Sequence, residues 1–208
     1  MLNGIFFIVT KFVKSLLLLV VLNGLVPASA WSATFSLAGA ANAAKARNTN
    51  PTRSYTSDAK FGFGAALLIE GQPLATNGVF TTEFGLVYAP RNTGYGTFYT
   101  EKTTWVELPL LERIHILGFS LGVGGYLAKA TGDIKRTYAT GATTYTYDDV
   151  QRATIDYGAA FAVGYEFKLI GAKLFADARY NYGLRNLSTA QNLEYKYTDL
   201  QLLLGVRF

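Results

Sequence analysis

The chain contains no cysteine, one methionine and one histidine among its 208 residues. Without thiols, a disulfide-stapled scaffold and a thiolate metal centre are excluded. A single imidazole argues against a histidine-based metal site, so we expect no metal and no other cofactor. Charged residues are also scarce, at 16% of the chain, against about 25% in an ordinary soluble domain. The low charge already favours a class other than the ordinary soluble domain.

The residues that are abundant are apolar, small or aromatic. Half of the chain is hydrophobic, with 21 glycines, 14 tyrosines and 14 phenylalanines, which excludes intrinsic disorder. The formal net charge is +5, but Lys11 and Lys14 contribute two of these charges and lie in an N-terminal segment with the pattern of an export signal. The remaining excess is small, so we predict no nucleic-acid partner.

The first thirty residues resemble a cleavable export signal. Lys11 and Lys14 precede a short apolar run at 16–22, and the segment ends in Pro27-Ala28-Ser29-Ala30. A positive start, a short apolar centre and an A-x-A site are typical of a secretory signal peptide. A spanning helix needs about 20 apolar residues, more than this run supplies. The sequence therefore predicts a signal peptide over 1–30 and a mature domain over 31–208.

The mature domain shows an alternation of apolar and small or polar residues with period two, which predicts β-strands. Between residues 200 and 208 the even positions are all apolar, and Leu203 is the one apolar residue among the odd positions. Eight such segments can be counted, at about 33–44, 59–70, 77–89, 99–115, 117–130, 151–167, 171–184 and 193–208.

The connections between these segments alternate in length. Residues 45–58, 90–98, 131–150 and 185–192 form longer polar connections, whereas those near 71–76, 116 and 168–170 are short. An even strand number with alternating connections is typical of outer-membrane barrels. We predict an all-β, eight-stranded antiparallel up-and-down transmembrane β-barrel. A soluble lipocalin-like barrel, which also has eight strands, is the alternative.

The two faces of the predicted strands differ in kind. One carries Leu, Val, Phe, Ile and Tyr, and the other carries Gly, Ala and Ser with scattered charge. Small residues suit the narrow interior of an eight-stranded barrel, so we predict that the apolar face meets lipid. Tyr88, Tyr157, Tyr180 and Tyr182 lie on this face near the longer loops and would form an interfacial aromatic girdle.

Five segments resemble PorT-like outer-membrane β-barrel proteins, a family with an eight-stranded barrel of the OmpA/OmpX type. The similar stretches are WVELPLL at 105–111, LGFSLGVGGYL at 117–127, DYG to GYEF at 156–167, RYNYGL at 179–184 and GVRF at 205–208. The resemblance covers about 59–208, with departures at Trp105-Val106, where the family has Tyr-Leu, and at Ala162, where it has Gly. It implies the barrel fold. Some members are linked to secretion or surface assembly, but the motifs do not carry that role over.

Nine charged residues fall on the inward face and form the candidate polar site. They are Glu83, Glu107, Arg113, Asp156, Glu166, Asp177, Arg179, Asp199 and Arg207. Charges in a narrow, partly dry lumen require partners, so we predict a hydrogen-bonded network centred on Arg179, with Glu83, Glu107, Asp156, Asp177 and Asp199 nearby. Such a network would plug the barrel. The alternative is a gated pore or a proton-linked path.

Two residues disturb the pattern in the fourth predicted segment, 99–115. Glu112 falls on the lipid face, so it should lie at the periplasmic interface or mark a change of register. Pro109 cannot donate a ladder hydrogen bond, and a local bulge there is the expected cause.

The C-terminus ends on an alternating apolar series, Leu202, Leu204, Val206 and Phe208. It resembles the terminal signal that the barrel-assembly machinery reads, and a last lipid-facing strand would look the same. Outer-membrane lipid and the assembly machinery are therefore expected partners, in the outer membrane of a Gram-negative bacterium.

Enzyme chemistry has little support in the sequence. His115 is the only histidine, and its nearest conceivable partners are Ser120 and Glu112, so we predict that the protein is not an enzyme. Residues 131–150 are rich in Thr, Tyr and mixed charge and could bind an extracellular or cell-envelope partner. We expect a non-enzymatic barrel with a structural or surface-interaction role, and a small transport or protein-secretion accessory barrel is the alternative.

Overall fold

The computed structural model describes residues 31–50, 54–73, 79–169 and 172–208. The predicted signal peptide at 1–30 lies outside the described residues. Within the described residues, no helix has the length and apolar character needed to cross a membrane.

Eleven strands make up the described chain. Eight of them are long: β1 (Trp31–Thr49), β3 (Asp58–Pro73), β4 (Phe80–Tyr95), β5 (Tyr99–Ile116), β6 (Phe119–Ala130), β9 (Ile155–Leu169), β10 (Ala172–Gly183) and β11 (Glu194–Arg207). Three are short: β2 (Ser54–Thr56), β7 (Ile134–Tyr138) and β8 (Gly141–Tyr145).

The eight long strands form a closed antiparallel ring. Each pairs with its chain neighbour among the long strands, and β1 pairs with β11 from Ser36 opposite Arg207 to Thr49 opposite Glu194. The predicted eight-stranded up-and-down barrel is confirmed. At one end, here called the turn end, β5 and β6 are joined by residues 117–118 alone. The opposite end, here called the loop end, carries 131–154 and 184–193.

Several strands extend further toward the loop end than the alternation predicted. β1 continues to Thr49, and β4 continues to Tyr95. Residues 90–98 are therefore not a long polar loop, because only 96–98 separate β4 from β5. Pro90 interrupts the apolar alternation, and for this reason the sequence suggested that the strand ended at 89.

A β-hairpin stands in the region expected to be a loop at 131–150. β7 and β8 pair with each other, and β7 also pairs with β5, with Lys135 opposite Lys102. The hairpin thus continues the barrel wall beyond the end of β6.

The ring has an apolar outer face and an inner face of small and polar side chains. The alanines of β1 at 38, 40, 44 and 46 are buried in the lumen. The four tyrosines expected in the girdle, Tyr88, Tyr157, Tyr180 and Tyr182, are exposed on the outer face. Large apolar side chains such as Phe61 and Phe63 are more than 70% exposed, which is the surface that a lipid-facing wall presents.

The one register shift among the ladders of the described strands lies opposite Pro90, and Pro109 causes none. The expectation of a bulge at Pro109 was wrong, because the registers of β5 with β4 and with β6 are continuous past it. Instead β3 shifts against β4 between Lys60 and Ala65. A Cβ at Gly64 would lie 1.8 Å from the Tyr88 carbonyl oxygen, so the bulge requires glycine there.

Glu112 lies on the outer face toward the turn end. Its carboxylate accepts hydrogen bonds from the Thr82 hydroxyl at 2.9 and 3.1 Å, and the two residues are directly opposite in the ladder. A polar neighbour, rather than a change of register, accommodates this carboxylate on the apolar face.

Candidate functional site

The lumen holds the nine charged residues predicted for it, on the inward side of five strands. Seven of them are at most 3% exposed, and Glu166 and Arg207 lie at the turn end. They form three groups, of which the two nearer the turn end are linked by an ion pair between Arg113 and Glu70 at 3.8 Å.

The central cluster consists of Arg91, Glu107, Asp156 and Asp199. The Arg91 guanidinium donates to Glu107 at 2.8 Å and to Asp156 at 2.5 Å, and its Nε lies 3.2 Å from Asp199. Arg91 has no exposed surface. One cation therefore serves three carboxylates inside the barrel.

Neutral side chains also donate hydrogen bonds to the central carboxylates. Asn181 and Gln201 donate to Glu107 at 3.2 and 2.7 Å, and the Tyr126 hydroxyl donates to Asp156 at 3.0 Å. The two amides satisfy the Glu107 oxygen that the guanidinium does not reach, whereas Tyr126 and Arg91 donate to the same oxygen of Asp156.

Aromatic rings enclose the same guanidinium. Its central carbon lies 4.8 Å from the ring centroid of Trp105, 5.2 Å from that of Tyr197 and 5.5 Å from that of Tyr126. Cation–π attraction is strongest at desolvated sites such as this. Arg91 is thus held by rings and by carboxylates together.

The lower cluster, toward the turn end, consists of Arg113, Arg179, Glu83 and Asp177. Arg113 lies 2.6 Å from Asp177 and 3.0 Å from Glu83. Arg179 contacts the same two carboxylates at 2.7 and 2.9 Å. Here two cations and two anions balance. Between this cluster and Glu166 and Arg207 lies a cavity of only about 10 Å³, about the space of one water molecule.

The mouth cluster consists of Arg207, Glu70, Glu166 and His115 and lies at the turn end. Arg207 lies 2.8 Å from Glu70 and 2.9 Å from Glu166. His115 Nε2 lies 2.9 Å from the Thr81 hydroxyl and 3.3 Å from Glu70. A polar cavity of about 240 Å³ lies among these side chains.

The structure differs from the prediction in the centre of the network. Arg179 contacts Glu83 and Asp177. Arg91, not Arg179, forms the ion pairs with Glu107, Asp156 and Asp199. Sequence reasoning missed Arg91 because it assigned 90–98 to a loop. The sequence nevertheless contained a signal, because Arg91, like Glu83, is at an odd-numbered position, and the odd-numbered positions of this strand face inward.

Sequence reasoning also missed the rim cluster at the loop end, built on Glu101. This carboxylate is fully buried and forms ion pairs with Arg152, and with Arg136 at 2.9 Å. The Tyr195 hydroxyl donates to it at 3.3 Å. Glu101 thereby ties the β7–β8 hairpin and residue 152 to β5.

The rim arginines keep their charge. Burial alone would lower the pKa of Arg152, but Tyr195 and Glu101 are among the neighbours that raise it well above its usual value. The pKa of Arg136 is also raised, with burial opposing and the Glu101 hydrogen bond favouring the charged form. The pKa of Tyr99 rises to about 12, mainly through burial.

The residues considered for enzyme chemistry are not arranged as a nucleophile and base. The Ser120 hydroxyl accepts from Arg113 at 3.0 Å, and His115 bonds to Thr81 instead. Thr81 and Glu70 both approach the same ring nitrogen, Nε2, whereas a relay uses both ring nitrogens. Glu112 faces outward.

The terminal apolar series lies on the outer face. Leu202, Leu204 and Phe208 are 46%, 57% and 73% exposed, and Val206 is half-buried. Phe208 exchanges two backbone hydrogen bonds with Phe35, at 2.8 and 3.3 Å, so the last residue is bonded to the first strand.

A family model described as the outer membrane protein β-barrel domain matches residues 28–189. No curated protein matches significantly. Ail, the attachment invasion locus protein of Yersinia pestis, solved with the heparin analogue sucrose octasulfate, is 16% identical over 84% of this chain and 99% of its own, with a TM-score of 0.43. Neisserial surface protein A is 13% identical over 85% and 97%, with a TM-score of 0.42.

Proposed function

We propose that this chain, which belongs to the outer membrane protein β-barrel domain family, is a non-enzymatic barrel with a closed lumen and a surface-interaction role. The protein lies in the outer membrane of a Gram-negative bacterium. Since outer-membrane barrels have short periplasmic turns and longer extracellular loops, the loop end faces the exterior and the turn end faces the periplasm.

Pairing and burial of the lumenal charges are the main support for a closed lumen. The central and lower clusters span the inside of the wall from Arg91 to Arg113, and every charged member is at most 3% exposed. Opening a water path would require these ion pairs to separate. Removal of one partner from a buried pair is costly, which favours a static plug over a gate.

The rim cluster supports the surface role. Glu101 fixes the β7–β8 hairpin through Arg136, and Arg136 lies 5.1 and 5.0 Å from the ring centroids of Tyr99 and Tyr145. The segment 131–150 is thus a braced projection of the wall, suited to contact with an extracellular or cell-envelope partner. A rigid hairpin costs less ordering entropy on binding than a mobile loop.

Two finer assignments accompany this proposal. The ordered motifs at 105–111, 156–167 and 179–184 support a PorT-like relationship. The outward series that ends at Phe208 supports recognition by the barrel-assembly machinery.

Planar-bilayer recording tests the closed lumen. The reconstituted wild-type protein should give no steady conductance, because its central and lower clusters leave no continuous water path. Steady conductance in the wild type that is abolished by Arg179→Ala would overturn the closed lumen and favour the transport alternative.

A shortened hairpin tests the surface role. Replacing residues 137–142 with Asn-Gly removes the projection but leaves Glu101 and the clusters below it intact. We expect unchanged heat-modifiable migration, together with weaker cell–cell aggregation and weaker adherence of intact cells to immobilised polysaccharides. Unchanged aggregation and adherence at equal surface amounts would contradict the role of 131–150.

A further inference from the structure

A row of basic side chains crosses the outer face of the barrel near its extracellular end. Lys60 on β3 is opposite Asn92 on β4, Asn92 is opposite Lys102 on β5, and Lys102 is opposite Lys135 on β7. These four residues, here called the lysine row, therefore occupy one rung of four adjacent strands. Lys102 and Lys135 are direct neighbours at the strand spacing of about 4.8 Å, and Asn92 separates them from Lys60.

Lys102 and Lys135 point away from the lumen, and the exposed Lys60 lies beside the β3 bulge, over β4. Lys102 follows the inward-facing Glu101, and Lys135 lies between Ile134, which is fully buried, and Arg136, which reaches inward to Glu101. The stem of Lys60 lies over Gly94, with its Cε 2.7 Å from the position of a Cβ there. All three lysines are exposed.

Among the described residues, Asp58 and Asp133 each lie two residues before a lysine of the row, but neither forms an ion pair with it. Within the described residues, no carboxylate forms an ion pair with Lys60, Lys102 or Lys135. Like charges directly opposite in a ladder destabilise it, and Lys102 and Lys135 are such a pair. On β1 the exposed Lys45 and Arg47 continue the basic surface.

The row lies at the boundary of the apolar belt. On β3 it borders Phe61 and Phe63, which are 73% and 77% exposed, and on β4 Asn92 lies four residues beyond Tyr88. This boundary is the level of the polar layer of the outer leaflet.

The opposite boundary of the belt lacks such a row. Among the described residues near the periplasmic end, Lys168 and Lys173 are directly opposite each other but follow the inward parity of their strands. The charge that faces outward there is Glu112. The basic surface is thus confined to one leaflet, as expected if its counter-charge lies in that leaflet.

We propose that the lysine row binds the phosphate groups of an anionic lipid in the outer leaflet. Lysine is a common ligand of phosphate, and basic groups beside an anionic membrane surface attract its headgroups. Adjacent lysines on one rung can reach the same phosphate, and Lys45 and Arg47 extend the basic surface toward a neighbouring lipid. The site is independent of the closed lumen and of the hairpin's partner.

Native mass spectrometry of the purified barrel in a neutral detergent tests the site without any variant. Diphosphoryl lipid A, monophosphoryl lipid A and phosphatidylcholine are the three probes. We expect retention to fall in that order, and retention of the diphosphoryl form to weaken as salt rises, because exposed charges are screened. Equal retention of all three lipids would overturn the proposal.

The variant Lys102→Gln/Lys135→Gln removes two charges of the row with little change in side-chain size. The matched control is Lys168→Gln/Lys173→Gln, which removes an opposed lysine pair at the other end. We expect the first variant to retain diphosphoryl lipid A about 30-fold less strongly and the control to match the wild type. Heat-modifiable migration reports the folding of each.

Three outcomes would count against the proposal. Wild-type retention by the row variant would show that these lysines bind no lipid. An equal loss in the control would show a general effect of net charge. Displacement of lipid A by millimolar inorganic phosphate would assign the row to a soluble anion instead.

Discussion

Arg91 is the residue on which the stability of the lumen should depend most. Replacement by Met keeps most of the side-chain length but leaves Glu107, Asp156 and Asp199 without their cation, and these carboxylates are at most 2% exposed. Removal of one partner from a buried ion pair costs about 3–5 kcal/mol. We expect Arg91→Met to lower the free energy of unfolding by about that amount.

Arg207→Met is the matched comparison. The chemical change is the same, but the Arg207 side chain is 12% exposed and lies at the periplasmic mouth, beside a polar cavity. Water can replace part of its contacts with Glu70 and Glu166. The loss should be on the order of 1 kcal/mol.

Urea-induced unfolding in lipid vesicles, followed by tryptophan fluorescence, measures both losses. Adding Asp156→Asn and Asp199→Asn to Arg91→Met should recover stability, because the two amides remove buried charge that has lost its partner. The reasoning would be refuted if Arg91→Met cost no more than Arg207→Met, or if the added amides lowered stability further.

Three further changes have defined outcomes. Gly64→Ala should abolish heat-modifiable folding because its Cβ meets a backbone carbonyl at 1.8 Å, whereas Gly39→Ala, with nothing within 4 Å, should fold. Hydrogen bonds from Thr146 lower the pKa of Asp149, so the turn that they form is stable at pH values above the unfolded pKa of about 4. The turn is lost as the pH falls through the lower native pKa. Amide exchange at Thr146 should report this loss, and Asp149→Asn should remove the acid dependence. Deletion of Phe208 removes its backbone pair with the first strand and should reduce the folded barrel in outer-membrane fractions, and normal levels would contradict a terminal signal.

The alternation of the sequence was sufficient to predict the barrel and the inward direction of the charged residues on the predicted strands, although not of Arg91, which was assigned to a loop. Period-two patterning fixes which face a residue occupies, so Asp177 and Arg179 could be assigned inward without coordinates. It also separated the outward tyrosines from the lumen. Two side chains that face the lumen make contact only if they also lie at the same height along the barrel axis.

Height along the barrel axis could not be predicted from the pattern. Arg179 and Asp199 lie on adjacent strands and face the same lumen, but in the ladder Arg179 is opposite Gln201 and Asp199 is opposite Asn181. Because of that offset and the tilt of the strands, Asp199 contacts Arg91 and not Arg179. The offset in register between neighbouring strands is set when the barrel closes, so it cannot be read from any single segment of the sequence.

Local chemistry explains the other differences. Pro90 made the alternation seem to end, although the strand continues because a glycine-containing bulge on β3 accommodates it. The β7–β8 hairpin resembles a loop in composition, since Thr and Tyr with mixed charge serve either structure. Its strand character comes from pairing with the extended end of β5, a contact distant in sequence.

The pairing of β1 with β11 has a consequence for how the protein must be made. Ser36 and Arg207 are partners although 171 residues separate them in the sequence, so one edge of β1 stays open until β11 pairs with it. Closing so long a loop costs entropy before any contact offsets it, and an open edge is not tolerated in hydrocarbon. Loss of β11 would therefore leave two unsatisfied edges rather than a smaller barrel. Assembly is all-or-none, and the pairing of β11 completes it.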